Sequence, residues 1–145
     1  MKSIRLLIIF VLIWVAVVFL LPGRVSKTYE FSHPAKEIVS IDLLLNTNES
    51  GKADESLLIF QKSLDQNEIA SFMSEVYALK TSRCYPPLWG WGKYVALVTY
   101  ANGDTELLGS TNIEFVPSGA SATGDGAYSF AHYGEFETVF LDYID

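Results

Sequence analysis

Cysteine and histidine are scarce in this chain: Cys84, His33 and His132 are all there is among 145 residues. One cysteine excludes an intramolecular disulfide, so the fold has to hold without covalent stapling. Neither histidine has a second ligand at metal-site spacing, which excludes the common zinc patterns, and no G-x-S-x-G motif places a nucleophile. His132, Ser129 and Asp125 compose a triad on paper, but any domain of this size offers such sets by chance, and a polar strand-end histidine is the plainer reading. Arg83 beside Cys84 favours a thiolate, whereas a buried, inert thiol just after a helix is the ordinary alternative. No catalytic residue, cofactor or metal is assigned on these grounds.

Calcium chemistry is also poorly served. Asn46-Thr47-Asn48-Glu49-Ser50-Gly51 has the oxygen-rich opening of an EF-hand loop, but its first position is not acidic and the twelfth, where a bidentate glutamate belongs, is Leu57. A solvated turn is the expectation, and Asn48-Glu49-Ser50 is in addition a glycosylation sequon in a eukaryotic secretory setting.

Basic residues are few. With Lys2 and Arg5 set aside, eight Lys and Arg stand against seventeen Asp and Glu, a net charge of −9 on residues 24–145. Such a domain is repelled by nucleic acid and by anionic headgroups, and it attracts basic proteins or peptides. Nucleic acid is therefore excluded as the expected partner.

What the chain does have is a leader. Leu6 to Leu21 is an unbroken run of 16 apolar residues, preceded by Lys2 and Arg5 and closed by Pro22-Gly23 with Arg24 and Lys27 beyond. As a helix it reaches about 24 to 27 Å, enough to span when flanking basic side chains snorkel. A cleaved signal peptide would want a small-x-small site, which Leu21-Pro22-Gly23 does not supply, and a lipoprotein leader would want a cysteine there. The expectation is an uncleaved, single-pass signal anchor over residues 1–23. Lys2, Arg5 and the α-amino group outweigh Arg24 and Lys27, so the positive-inside rule puts the N-terminus in the cytoplasm and the remaining domain outside.

Residues 24–37 read as a juxtamembrane spacer with a brief extended stretch at Thr28 to Phe31, and residues 38–145 as a single domain. In Ile38 to Leu45, Val39, Ile41, Leu43 and Leu45 alternate with Ser40 and Asp42, the period of a half-buried strand. A polar loop follows, and Ser56 to Lys62 completes an opening hairpin. Asp65 and Glu68 form a capping box, Leu64 and Ile69 a hydrophobic staple, and Ile69, Phe72, Met73, Val76, Tyr77 and Leu79 an apolar stripe, giving a helix from Gln66 to Lys80.

After a loop at Thr81 to Gly92, Tyr94 to Leu108 reads as a hairpin turning on Asn102-Gly103. A type I′ turn there pairs Tyr100 with Thr105, Thr99 with Glu106 and Val98 with Leu107, so that Glu106 faces water. Asn112 to Val116 is a further strand, Pro117 to Gly126 a mobile loop, Ala127 to His132 a last strand, and Gly134 to Ile144 a short amphipathic helix. The expected order is ββαβββ(β)α, an α+β domain with a largely antiparallel sheet and two helices on one face.

At Ile38 to Leu45, the helix start from Asp65 to Glu68 and the Asn102-Gly103 hairpin, the chain resembles small membrane-anchored bacterial extracytoplasmic α+β domains of unassigned function. The resemblance implies an anchored outer-face domain and carries over no activity and no site residues.

One segment stands out chemically. Tyr85-Pro86-Pro87-Leu88-Trp89-Gly90-Trp91-Gly92 offers rigid apolar surface at low entropy cost, so Tyr85, Leu88, Trp89 and Trp91 are the candidate partner-binding residues. Buried, the same indoles would cap the open end of the core, and at a membrane interface they would sit among headgroups. The leading functional expectation is a non-catalytic binding or accessory domain for a protein or peptide, of which an acidic immunity-type protein against a basic toxin is a special case. The alternatives are a structural subunit of a membrane complex and an envelope hydrolase. The hydrolase requires a cleft in which His132 or Cys84 meets an acid.

Overall fold

The computed structural model describes residues 8, 9, 11, 27–48, 54–132 and 134–144, with backbone alone for residues 84–89. The apolar run of the leader, and with it the anchor over residues 1–23, lies outside the described residues except for Ile8, Ile9 and Val11, which are helical and exposed. Among the described residues no helix is long and apolar enough to cross a membrane.

Eight antiparallel strands form one sheet: β1 (Lys27–Thr28), β2 (Ile38–Asn46), β3 (Leu58–Ser63), β4 (Lys80–Trp89), β5 (Tyr94–Tyr100), β6 (Thr105–Gly109), β7 (Ile113–Val116) and β8 (Asp125–Phe130), in the spatial order β1-β4-β8-β7-β6-β5-β2-β3. Strands β5 to β8 are a simple meander that returns to β4, and the β2–β3 hairpin is added on the far side of β5. Two helices, α1 (Gln66–Ala78) and α2 (Glu135–Leu141), complete the α+β domain.

Helix α1 begins where its capping box places it. Asp65 Oδ1 accepts from Asn67 N and Glu68 N, and Glu68 Oε2 accepts from Asp65 N at 2.9 Å. It ends at Ala78, two residues before the expected Lys80, because Lys80 is taken into β4. The buried residues Ile69, Phe72, Met73 and Val76 of α1 and Phe136, Val139 and Phe140 of α2 share one cluster with Ile41, Leu43, Ala96, Val98 and Leu108 of the sheet, so both helices cover the same face. Phe130 stacks on Phe136 at 4.7 Å between ring centroids. A smaller cluster of Leu44, Trp91, Val95, Leu107 and Val116 lies on the opposite face.

Four expectations are corrected. The 24–37 segment is not a free spacer: Lys27–Thr28 pairs with β4, and Tyr29 and Phe31 are buried in the main core. The domain therefore begins at Lys27 rather than Ile38, because two large aromatics in that segment bury more apolar surface than a solvated tether could.

Within the stretch 81–92 only residues 90–92 are a loop, since Lys80–Trp89 is a strand paired with β8, and the extra length of Cys84–Pro87 is absorbed as a bulge between Arg83 and Leu88. In β2 the register shift against β5 between Ile38 and Ser40 turns Val39 outward, so Ile38 replaces it on the core face.

The fourth correction concerns the β5–β6 turn. Thr99 pairs with Thr105, Val98 with Glu106 and Leu97 with Leu107, one residue away from the type I′ register. Gly103 N–H bonds Tyr100 O at 2.9 Å, Tyr100 N–H bonds Asp104 O at 2.9 Å, and Gly103 alone carries a positive φ of 86°. This is a three-residue loop, a turn followed by a left-handed glycine, rather than two left-handed residues. A slip by one residue exchanges the faces of a strand, so Glu106 lies opposite Val98 on the helix-covered side and is 3% exposed.

The connection after β7 is also tied down, whereas its composition suggested mobility. Glu114 accepts from Thr123 N, Thr123 Oγ1 and Gly124 N, Asn112 Nδ2 donates to Gly124 O at 2.7 Å, and Ala122 packs on the smaller cluster.

Candidate functional site: an apolar groove beside an open strand edge

Among the described residues β1 and β3 are the two outer strands of the sheet, and β3 is the longer, six residues against two. Its hydrogen-bonding directions follow from its neighbours. Asn46 N–H is given to Lys93 O, on the β5 side of β2, while Thr47 N–H is given to Leu57 O on the other side. Alternation then directs the backbone groups of Leu45 at Ile59 and leaves those of Leu58 and Phe60 on the open side. Leu58 N–H already closes the preceding 3-10 turn on Glu55 O. Leu58 C=O and Phe60 N–H and C=O face outward, and the Gln61 side-chain amide rests on the Phe60 carbonyl at 3.1 Å.

The side chains of this strand are unusual for an edge. Phe60 is 58% exposed and Ile59 52%. Natural edges are commonly protected by an outward lysine, yet Lys62 is folded away, with Nζ 2.6 Å from Glu68 Oε1 and 3.0 Å from Tyr143 O. Phe60 lies opposite Leu44 on the face opposite to α1 and α2. There it forms one wall of a groove of about 380 Å³ lined by Leu44, Leu58, Leu97, Leu107 and Val116, closed at one end by the loop after β7 and edged by Glu55.

The buried ionisable groups tie distant segments of the chain together. The Glu106 carboxylate accepts from the hydroxyls of Tyr29 and Tyr100, from Ser32 Oγ at 3.1 Å and from Ser32 N at 3.1 Å. Burial, reinforced by the adjacent Glu106, pushes the Tyr29 and Tyr100 hydroxyls well above the usual tyrosine range. Glu114, likewise buried, takes Trp91 Nε1 at 2.9 Å together with the three donors of the following loop. His33 Nε2 lies 2.9 Å from Asp104 Oδ2 and Nδ1 3.5 Å from Glu37, with its ring against Tyr100. The Ser118 N–H, joined by Asn102 and His33, holds the Asp104 carboxyl below its ordinary value.

Of the residues offered as partner contacts, Trp91 is corrected outright: it has no solvent exposure and forms the centre of the smaller core. Tyr85, Leu88 and Trp89 are placed by backbone only, Tyr85 within the bulge of β4 and Leu88 and Trp89 in the part that follows it. The paper triad is not assembled, because Asp125 and Ser129 lie four residues apart along β8, roughly 13 Å at strand spacing. Among the described residues no group of three His, Cys, Asp or Glu is placed to hold a metal ion.

The groove itself was not foreseen. Its signal in the sequence is the continuous apolar run Leu57 to Phe60, which puts large side chains on both faces of a strand. A run of that kind normally marks a central strand, and nothing local shows that this one is at the edge. Neither the protein-family models, nor curated proteins, nor solved structures contain a match to this chain.

Proposed function

We propose that the chain is a membrane-tethered, extracytoplasmic, non-catalytic binding domain that receives an extended, basic segment of a partner protein as an added strand on β3. The observation that carries this reading is the combination of outward backbone groups at Leu58 and Phe60 with an exposed phenylalanine over an apolar groove. Strand addition uses the same two elements, main-chain hydrogen bonds for affinity and a pocket for alternate side chains for specificity. The net charge of −9 on residues 24–145, with Glu55 at the groove, favours a partner segment rich in Lys and Arg.

The membrane part of the reading rests on the apolar run Leu6 to Leu21, and the outward orientation on Lys2 and Arg5. The test is affinity purification of the cross-linked full chain from membranes, comparing wild type with Phe60→Asp and Ile59→Asp. Both side chains are exposed, so both variants should keep the fold. Recovery of a discrete partner with wild type and its loss with Phe60→Asp is the expected result. Equal recovery from both would remove β3 as the interface.

A further inference from the structure

The corner of the sheet opposite to β3 has its own chemistry. Lys27 of β1, Phe115 of β7 and Tyr128 of β8 line one pocket of about 360 Å³, whose floor includes Glu106. Arg83 of β4 stands directly opposite Tyr128 in the ladder. Tyr128 is 51% and Phe115 41% exposed, and Lys27 and Arg83 are exposed beside them. The acids lining that pocket are the exposed Glu30 and the buried Glu106, whose carboxylate is taken up by Tyr29, Ser32 and Tyr100. In a domain otherwise strongly acidic, two exposed aromatic rings beside two exposed basic side chains, Lys27 and Arg83, form a composition suited to the boundary between water and lipid headgroups.

Chain length brings this corner to the membrane. Only five residues, Pro22 to Ser26, separate the apolar run from Lys27. Six virtual bonds from Leu21 to Lys27 reach at most about 20 Å, of which up to about a third crosses a headgroup layer of roughly 5 to 7 Å. The N-terminal end of β1 points along β4 toward Arg83, since Lys27 opposes Thr81 and Thr28 opposes Lys80.

We infer that the β1/β4/β8 corner, through Lys27, Arg83, Phe115 and Tyr128, rests on the lipid headgroup layer of the membrane into which the leader inserts. This rests on the tethering reading and gives it an orientation. Seven strand spacings separate β1 from β3, about 33 Å, so docking at this corner turns the β3 groove away from the bilayer and toward any partner.

The full chain, with Cys84→Ser, is reconstituted into mixed phosphatidylcholine and phosphatidylglycerol vesicles, and a nitroxide is attached at Tyr128→Cys or, separately, at Ser74→Cys on the exposed side of α1. Lipid-phase oxygen is expected to relax the label at 128 several-fold more than the label at 74, and the combined Lys27→Glu and Arg83→Glu variant is expected to abolish the difference. Equal, water-like relaxation at both sites, in a chain that resists carbonate extraction, would overturn the docking face while leaving the tether intact. Release of the chain by carbonate would overturn both.

Discussion

Trp91 Nε1 donates to Glu114 Oε2 at 2.9 Å across the smaller core, from an indole with no solvent exposure. The same carboxylate closes the loop after β7, so one side chain fixes both the tryptophan and the end wall of the groove.

Glu114→Ala is therefore expected to destabilise the domain by about 3 kcal/mol or more, because it leaves four donors without their acceptor, two of them buried and two part-buried. Glu114→Gln, which keeps one acceptor oxygen, is expected to cost less. Denaturant unfolding of the detergent-solubilised full chain, followed by tryptophan fluorescence, measures both. A loss of under about 1 kcal/mol for Glu114→Ala would contradict the role given to this side chain.

Gly109 is held to glycine by the same packing. A Cβ there would stand 2.2 Å from Trp91 O and 2.8 Å from Asn112 O, both backbone atoms that cannot swing aside. Gly109→Ala is expected to lower the denaturation midpoint by an amount comparable to the larger core substitutions, whereas Gly119→Ala, where a Cβ meets nothing, faces only the strain of its φ of 81° and is expected to cost about 1 to 2 kcal/mol.

Alkaline pH reports on the Glu106 cluster. Tyr29 and Tyr100 have hydroxyls whose folded pKa is raised, mainly by burial, above the unfolded value of 10.0. Above pH 10.0 the unfolded chain has lost protons that the native chain still holds, so the stabilisation present below that pH declines as pH rises toward the folded values. Tyrosinate absorbance is expected to show these two groups ionising together with the loss of structure, and Tyr100→Phe to weaken the alkaline dependence. Ionisation of all tyrosines near their ordinary pKa in a folded chain would contradict the buried cluster.

The placement of the first strand is tested by truncation. A chain beginning at Arg24 keeps Tyr29, Phe31 and Ser32 and is expected to fold, while one beginning at Ile38 removes two buried aromatics, each worth about 1.5 to 3 kcal/mol, and three of the four donors to Glu106. Far-ultraviolet circular dichroism and cooperative melting separate the outcomes. Equal stability of the two chains would return the 24–37 segment to a spacer.

Legibility in the sequence followed the range of the interactions. Helix α1 was readable because Asp65, Glu68, Leu64 and Ile69 act within one turn of each other. β2, the β2–β3 hairpin and the α+β class were readable from short-range periodicity. The β5–β6 register was not, because Asn102-Gly103 suits either loop and the partners that accommodate Glu106 in the observed one, Tyr29 and Ser32, are more than 70 residues away in sequence. Trp91 was ambiguous for the same reason: its acceptor is Glu114, 23 residues on. The groove depended on β3 being an edge, which only the completed strand order reveals.

The most direct test of the binding account is a photo-reactive amino acid at position 60 of the full chain in intact cells, compared with the same group at position 74 on α1. The account predicts a discrete protein adduct at 60 that is absent at 74, with the cross-linked site mapping to an extended, basic segment of the partner. Adducts of equal yield at both positions, or an adduct only at 74, would contradict binding at the β3 edge.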